Sequence, residues 1–187
     1  MNASRPIVEQ TSLDHASEKS LVRAQLTQVR ILIAFFIVAL VVSGLTAVPI
    51  VWESALLYRW LGPGTFMDSL WPALASWIEV IHLGLVSVSQ TYPFMLYGTD
   101  WLAFAHIVIA IAFIGPLRDP LQNQWVIEFG MIACILIVPT VLIFAPVRGI
   151  PWFWRLLDIS FGVFGLIPLW WTRQKIIHIK AAQKRII

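Results

Sequence analysis

Residues 66–89, FMDSLWPALASWIEVIHLGLVSVS, decide how this chain is folded. Leu70, Trp71, Leu74, Trp77, Ile78, Ile81 and Leu85 recur at three- and four-residue spacing, which marks an amphipathic helix. Asp68, Pro72, Glu79 and His82 stand among them. A full crossing of a bilayer would put Glu79 and His82 near its middle, where ionisable groups are costly. A helix lying in the interface turns both toward water. The first reading makes five crossings in the chain and the second makes four.

The rest of the chain establishes the environment. Four apolar runs, 31–52, 101–116, 125–146 and 152–171, approach or reach the roughly 20 helical residues that a lipid core of about 30 Å needs. They predict helices at 31–52, 99–116, 125–145 and 152–172. Of the 187 residues 59% are hydrophobic, and mean hydropathy is +0.80. One soluble core of this size has no room for that much apolar side chain. A net charge of +3 is too small to suggest nucleic acid. The single cysteine, Cys134, makes no internal disulfide and no CxxC pair, so it reads as a small buried hydrophobe.

Charge placement gives the orientation. Arg5, Lys19, Arg23 and Arg30 precede the first run; Arg173, Lys175, Lys180, Lys184 and Arg185 follow the last. With four crossings both basic ends share one side, which the positive-inside rule makes the cytoplasm. With five, one basic end faces outward. The expected architecture is therefore all-α and integral to the membrane: a four-helix bundle with an extracytoplasmic interfacial helix at 66–89. Residues 1–30 form a cytoplasmic tail, disordered or loosely helical over 1–20, residues 31–172 the membrane domain, and residues 173–187 a basic tail lying on the inner leaflet. The polar lead-in is long for a secretory signal, so 31–52 reads as a retained helix; cleavage after Ala47 is the alternative. Trp52, Trp101, Trp152 and Trp154 gather at one interface, and Trp125, Trp170 and Trp171 at the other.

Polar residues inside the spans are the site candidates. His106 lies about 8 Å inside its helix, with Thr99, Ala103 and Ala110 on the same face. Asp158 sits at similar depth and is spaced to pair with Arg155 on its own helix. Thr140, beside Pro139, comes to the same level, and Arg148, Asp100, Tyr92 and Tyr97 cap the pocket from outside. Arg148 and Arg155 suit an anionic ligand, a small molecule or a lipid headgroup. His106 held by Asp158 gives the enzyme alternative, redox or hydrolytic; a scaffold in which these residues only lock helices is the third reading. Expected partners are membrane lipids and a membrane-protein partner or a second copy. Glu79 and His82 form one E-x-x-H, and a di-iron site needs two plus further glutamates, so a metal is not expected. With His15 and His178 in the tails, a haem reading has only His82 and His106 as ligands; four crossings put His82 outside the bilayer core, which leaves His106 as a single axial ligand. Glu128, near the cytoplasmic interface, has Arg118 across a turn to neutralise it.

The segments YGTDWLAFAH (97–106), RDP (118–120), WVIEFG (125–130) and RGIP (148–151) are also suggestive. Over roughly 92–170 the chain resembles a set of small bacterial four-helix inner-membrane proteins. That resemblance implies a bacterial inner membrane and carries no reaction or substrate.

Overall fold

A computed structural model describes the backbone of residues 7–186 and the side chains of residues 20–183. The tail at 1–6 lies outside the described residues. The described residues are helical nearly throughout: α1 (Ile7–Thr46), α2 (Ile50–Leu61), α3 (Phe66–Leu70), α4 (Pro72–Thr91), a 3-10 turn (Pro93–Leu96), α5 (Tyr97–Ala112), α6 (Ile114–Arg118), α7 (Gln124–Val147) and α8 (Trp152–Ile186). Five stretches are long and apolar enough to cross a membrane: 20–46, 72–91, 93–118, 124–147 and 152–183. That is one more than the four expected, and the additional one is α4.

The breaks between helices have local causes. Proline at position 49 has no N–H to continue α1, so the chain turns through Ala47 and Val48 and α2 starts on the Pro49 carbonyl, which Glu53 N–H reaches at 2.9 Å. The expected helix 31–52 is thus the end of α1 and the start of α2. Pro72 likewise divides 66–89. Trp71 before it is held out of the helical region, at φ −146° and ψ 79°, and the expected single helix becomes α3 and α4. After α7, Gly149 takes φ +70°, Ile150 N–H bonds the Ala145 carbonyl at 3.0 Å and Gly149 N–H bonds Pro146 at 3.1 Å. This is a Schellman stop, which needs a residue free to adopt positive φ.

The chain divides into two compact units. One comprises residues up to 37 together with 111 onward; the other comprises 38–110. In the first, α7 and α8 form the most extensive helix pair. They approach closely at small residues: a Cβ on Gly162 would stand 2.6 Å from the Cys134 carbonyl oxygen, and one on Gly165 2.9 Å from Cys134 Sγ. Around them Val29, Ile33, Phe113, Ile127, Leu169, Ile176 and Ile179 are closed to solvent. Ile176 and Ile179 were expected on a tail lying flat on the membrane. They are core residues, because α8 runs on helically past Trp171 and turns them inward.

In the second unit α2 packs on α4, and α3 closes the corner between them. Ser54, Ala75, Ile78, Ala103 and Ala110 are buried there. Gly44 of α1 meets α5: a Cβ on it would lie 2.7 Å from His106 Cβ and 3.1 Å from the Ala103 carbonyl oxygen.

Candidate functional site

His106 is half-buried on α5, and its Nδ1 lies 2.8 Å from the Leu102 carbonyl oxygen. A carbonyl only accepts, so Nδ1 is the donor in this bond. Asp158 is half-buried on the same stripe of α8 as Gly162 and Gly165. Among the described residues it makes no hydrogen bond or ion pair. His106 belongs to the 38–110 unit and Asp158 to the other. Arg155 does not pair with Asp158; its Nε donates to the Ile150 carbonyl at 2.7 Å, an acceptor left open just before α8 begins. Thr140 is exposed and donates to the Leu136 carbonyl of its own helix at 2.8 Å. Arg148 is exposed. Tyr97 and Asp100 do come together: with Trp101 and Phe104 they line a shallow pocket of about 220 Å³. Edge-on ring contacts run through it, Tyr97 to Trp101 at 6.0 Å and Trp101 to Phe104 at 5.4 Å.

Glu79 and His82 sit one turn apart on α4, and no group of three metal-ligating side chains occurs among the described residues. His82 turns instead toward α2. Its Nδ1 lies 3.1 Å from Ser54 Oγ, and its ring stacks on Tyr58 with centroids 5.0 Å apart. Ser54, only 4% exposed, gives its one proton to the Val51 carbonyl at 2.7 Å. His82 Nδ1 is therefore the donor to Ser54. The sequence shows little of this cluster, because Ser54 and Tyr58 fall between the expected helices 31–52 and 66–89. The i,i+4 spacing of Ser54 and Tyr58 was the available signal.

A cavity of about 550 Å³ opens in the first unit between α1 and α8. Ile31, Leu32 and Trp171 form an apolar floor, and Gln28, Lys175 and His178 form a polar rim. Lys175 Nζ donates to Gln28 Oε1 at 2.7 Å, a neutral partner. No carboxylate lines the cavity. The nearby carboxylates are engaged elsewhere. Glu128 Oε1 accepts from Arg173 Nε at 3.1 Å and Gln124 Nε2 at 2.9 Å, and Asp119 Oδ1 accepts the Leu121 and Gln122 N–H groups. Arg173, not Arg118, neutralises Glu128, in the only ion pair among the described residues. Lys180 Nζ completes this end by donating to Gln124 Oε1 at 2.8 Å, and Arg30 Nη2 donates to the Arg118 carbonyl at 3.3 Å. Chemically the cavity offers the Lys175 ammonium and the His178 imidazole above an apolar wall, a combination suited to an amphipathic anion.

The chain matches no family model, no curated protein and no solved structure.

Proposed function

We propose that the chain is a four-crossing protein of a bacterial inner membrane, with both ends in the cytoplasm, that binds an anionic ligand, alone or as an accessory subunit of a larger complex. The observation that carries the reading is the set of contacts at the basic end. Lys175 with Gln28, Arg30 with Arg118, Arg173 with Glu128 and Lys180 with Gln124 tie together α1, the end of α6, the start of α7 and the last part of α8. These points share one level. A chain that leaves a bilayer face along α1 and is back at that face by Arg118 has crossed an even number of times. The stretches 20–46 and 93–118 supply two crossings. A third, by α4, would leave Arg118 on the far face. This parity supports α4 as a helix of the outer leaflet, despite a length that suffices to span. The concentration of Arg and Lys at the shared level supports its being cytoplasmic.

Cysteine labelling tests the count. In a Cys134→Ala background, Ser69→Cys before α4 and Phe94→Cys after it are both expected to react with an impermeant maleimide added to whole cells. Reaction of one and protection of the other overturns four crossings. Binding is tested on the purified full-length protein: phosphatidylglycerol or inorganic phosphate is expected to raise its Tm, since a ligand of the folded state stabilises it. No shift with either refutes anion binding.

A second reading, a b-type haem protein, is favoured by one observation. His82 and His106 both spend Nδ1 on an oxygen, which leaves Nε2 as the nitrogen through which either imidazole would ligate iron. Each stands about 14 Å along its helix from the link between α4 and α5, at ~1.5 Å per residue. A Soret band in the purified protein that is lost in His106→Ala would establish this reading, and a colourless preparation from haem-replete cells would end it.

A further inference from the structure

We propose that the groove between α1 and α8 holds one intact anionic phospholipid of the cytoplasmic leaflet, its phosphate against Lys175 and His178 and an acyl chain along Ile31, Leu32 and Trp171. The inference deepens the anion-binding reading above and rests on it for which leaflet is involved.

Both walls of the groove change character at the same height. α1 is polar through Gln28 and Arg30 and apolar from Ile31; α8 is apolar through Trp171 and polar from Thr172, with Lys175 and His178 one and two turns further on. The Lys175–Gln28 bond spans the groove just on the polar side of that boundary. A phospholipid changes from charged to apolar at the same height. Charge points the same way. An ammonium has three donors, and Lys175 spends one on an amide oxygen. With Glu128 and Asp119 already engaged, its charge has no carboxylate counterpart among the described residues. The apolar half argues against a free anion as occupant. Ile31 is 61% exposed and Trp171 53%, and inorganic phosphate on Lys175 would leave both uncovered, whereas an acyl chain covers them.

The test uses the full-length protein in native mass spectrometry after exchange into equimolar phosphatidylglycerol and phosphatidylcholine. One phosphatidylglycerol per chain is expected, preferred at least about fivefold, the scale of one basic residue near an anionic lipid. Lys175→Gln is expected to abolish the preference and Lys175→Arg to keep it. Lys180→Gln, whose Nζ is bonded to Gln124 outside the groove, is expected to leave it unchanged. Leu32→Asn, on the floor, lowers lipid retention with the charge intact, so the proposal does not depend on one variant's folding. Equal loss in Lys175→Gln and Lys180→Gln would mean diffuse surface charge and would overturn the site. Displacement of the lipid by millimolar phosphate would make it a free-anion site, and a dimer that excludes lipid would make it a self-association face; either overturns the proposal. Labelling of Ser69→Cys and Phe94→Cys is read independently, so a wrong crossing count and an empty groove are distinguishable.

Discussion

The two units bury side chains of different size, although both leave large apolar residues exposed. The one built from residues up to 37 and from 111 onward closes Phe113, Ile33, Ile127, Leu169, Ile176 and Ile179 almost completely. The 38–110 unit closes mainly small side chains, Ala75, Ala103 and Ala110, with Ile78 the one large apolar residue among them. It leaves Trp52, Trp60, Phe66, Leu70, Val80 and Leu83 exposed. Lipid explains how both can be stable. Apolar surface against acyl chains carries no penalty, so helices in a bilayer gain from close approach rather than from hiding hydrophobes. Past Arg30 and Thr172 the solvent becomes water again on the proposed topology. Burial of Val29, Ile176 and Ile179 there is worth about 1.5–3 kcal/mol per large side chain. The basic end thereby has a buried core of its own, and the groove lies beside it.

The largest effect that sharpens this contrast is truncation of Phe113. Its ring lies 4.7 Å from that of Phe36 and is wholly buried. Phe113→Ala is expected to lower stability by about 3–5 kcal/mol, read by reversible unfolding in mixed micelles. Ile78→Ala in the other unit should fall toward the low end of the ~2–5 kcal/mol range for aliphatic truncation. Equal losses would remove the distinction between the units.

Close helix approaches come next. At Gly162 the nearest atom to a new Cβ is the Cys134 carbonyl oxygen, which moves only if α7 moves. At Gly44 it is His106 Cβ, almost as immobile. Gly162→Ala and Gly44→Ala should each cost about 1–3 kcal/mol, the range for overpacking. Gly130→Ala meets the outer atoms of Phe113 and Leu169, which can turn aside, and should cost less. A thermal-shift series over the three variants checks the order; a Gly130 variant as damaging as the other two would mean the core is stiffer than its side-chain ends suggest.

Much of this fold was legible in the sequence, and the reasons for the remainder are physical. The apolar runs, the aromatic edges and the basic ends follow from composition along the chain, since lipid and water sort residues by depth. Helix breaks at Pro49 and Pro72 were also readable in principle, because proline acts on its own backbone and its neighbour's. Tertiary pairing was not. Lys175 and Gln28 stand 147 residues apart, and Ser54 and His82 28 apart. The i,i+3 spacing of Arg155 and Asp158 invited a local ion pair, but the Ile150 carbonyl offered a closer acceptor. Of the expected outer pocket, Tyr97 and Asp100 meet, while the hydroxyl of Thr140 and the guanidinium of Arg155 are spent on backbone carbonyls. The groove is not legible in the sequence because each of its walls, taken alone, is an ordinary interfacial stretch of helix.

A smaller effect probes how α2 is held on α4. Ser54→Ala removes the hydroxyl that accepts from His82 Nδ1 and leaves that N–H unpartnered in a partly buried place. The expected cost is about 1–2 kcal/mol. It should be local: faster amide exchange over α2 and α4, with the α7–α8 pair unchanged. Spread of the change into α7 and α8 would show the two units to be one cooperative structure, and the contrast drawn between them would fail.

The smallest effect runs the other way. Gly84 lies in the interior of α4 with open space around it, and nothing stands within 4 Å of a Cβ added there. Alanine costs less backbone entropy in a helix than glycine, so Gly84→Ala should stabilise by about 0.5–1 kcal/mol. That gain holds only if the face of α4 at Gly84 meets lipid or water. If a second copy or a partner subunit packs on it, the same methyl group clashes and the sign reverses. A rise in Tm in detergent together with unchanged behaviour in native membranes therefore means that α4 is lipid-facing, and a loss confined to native membranes means that a protein covers it.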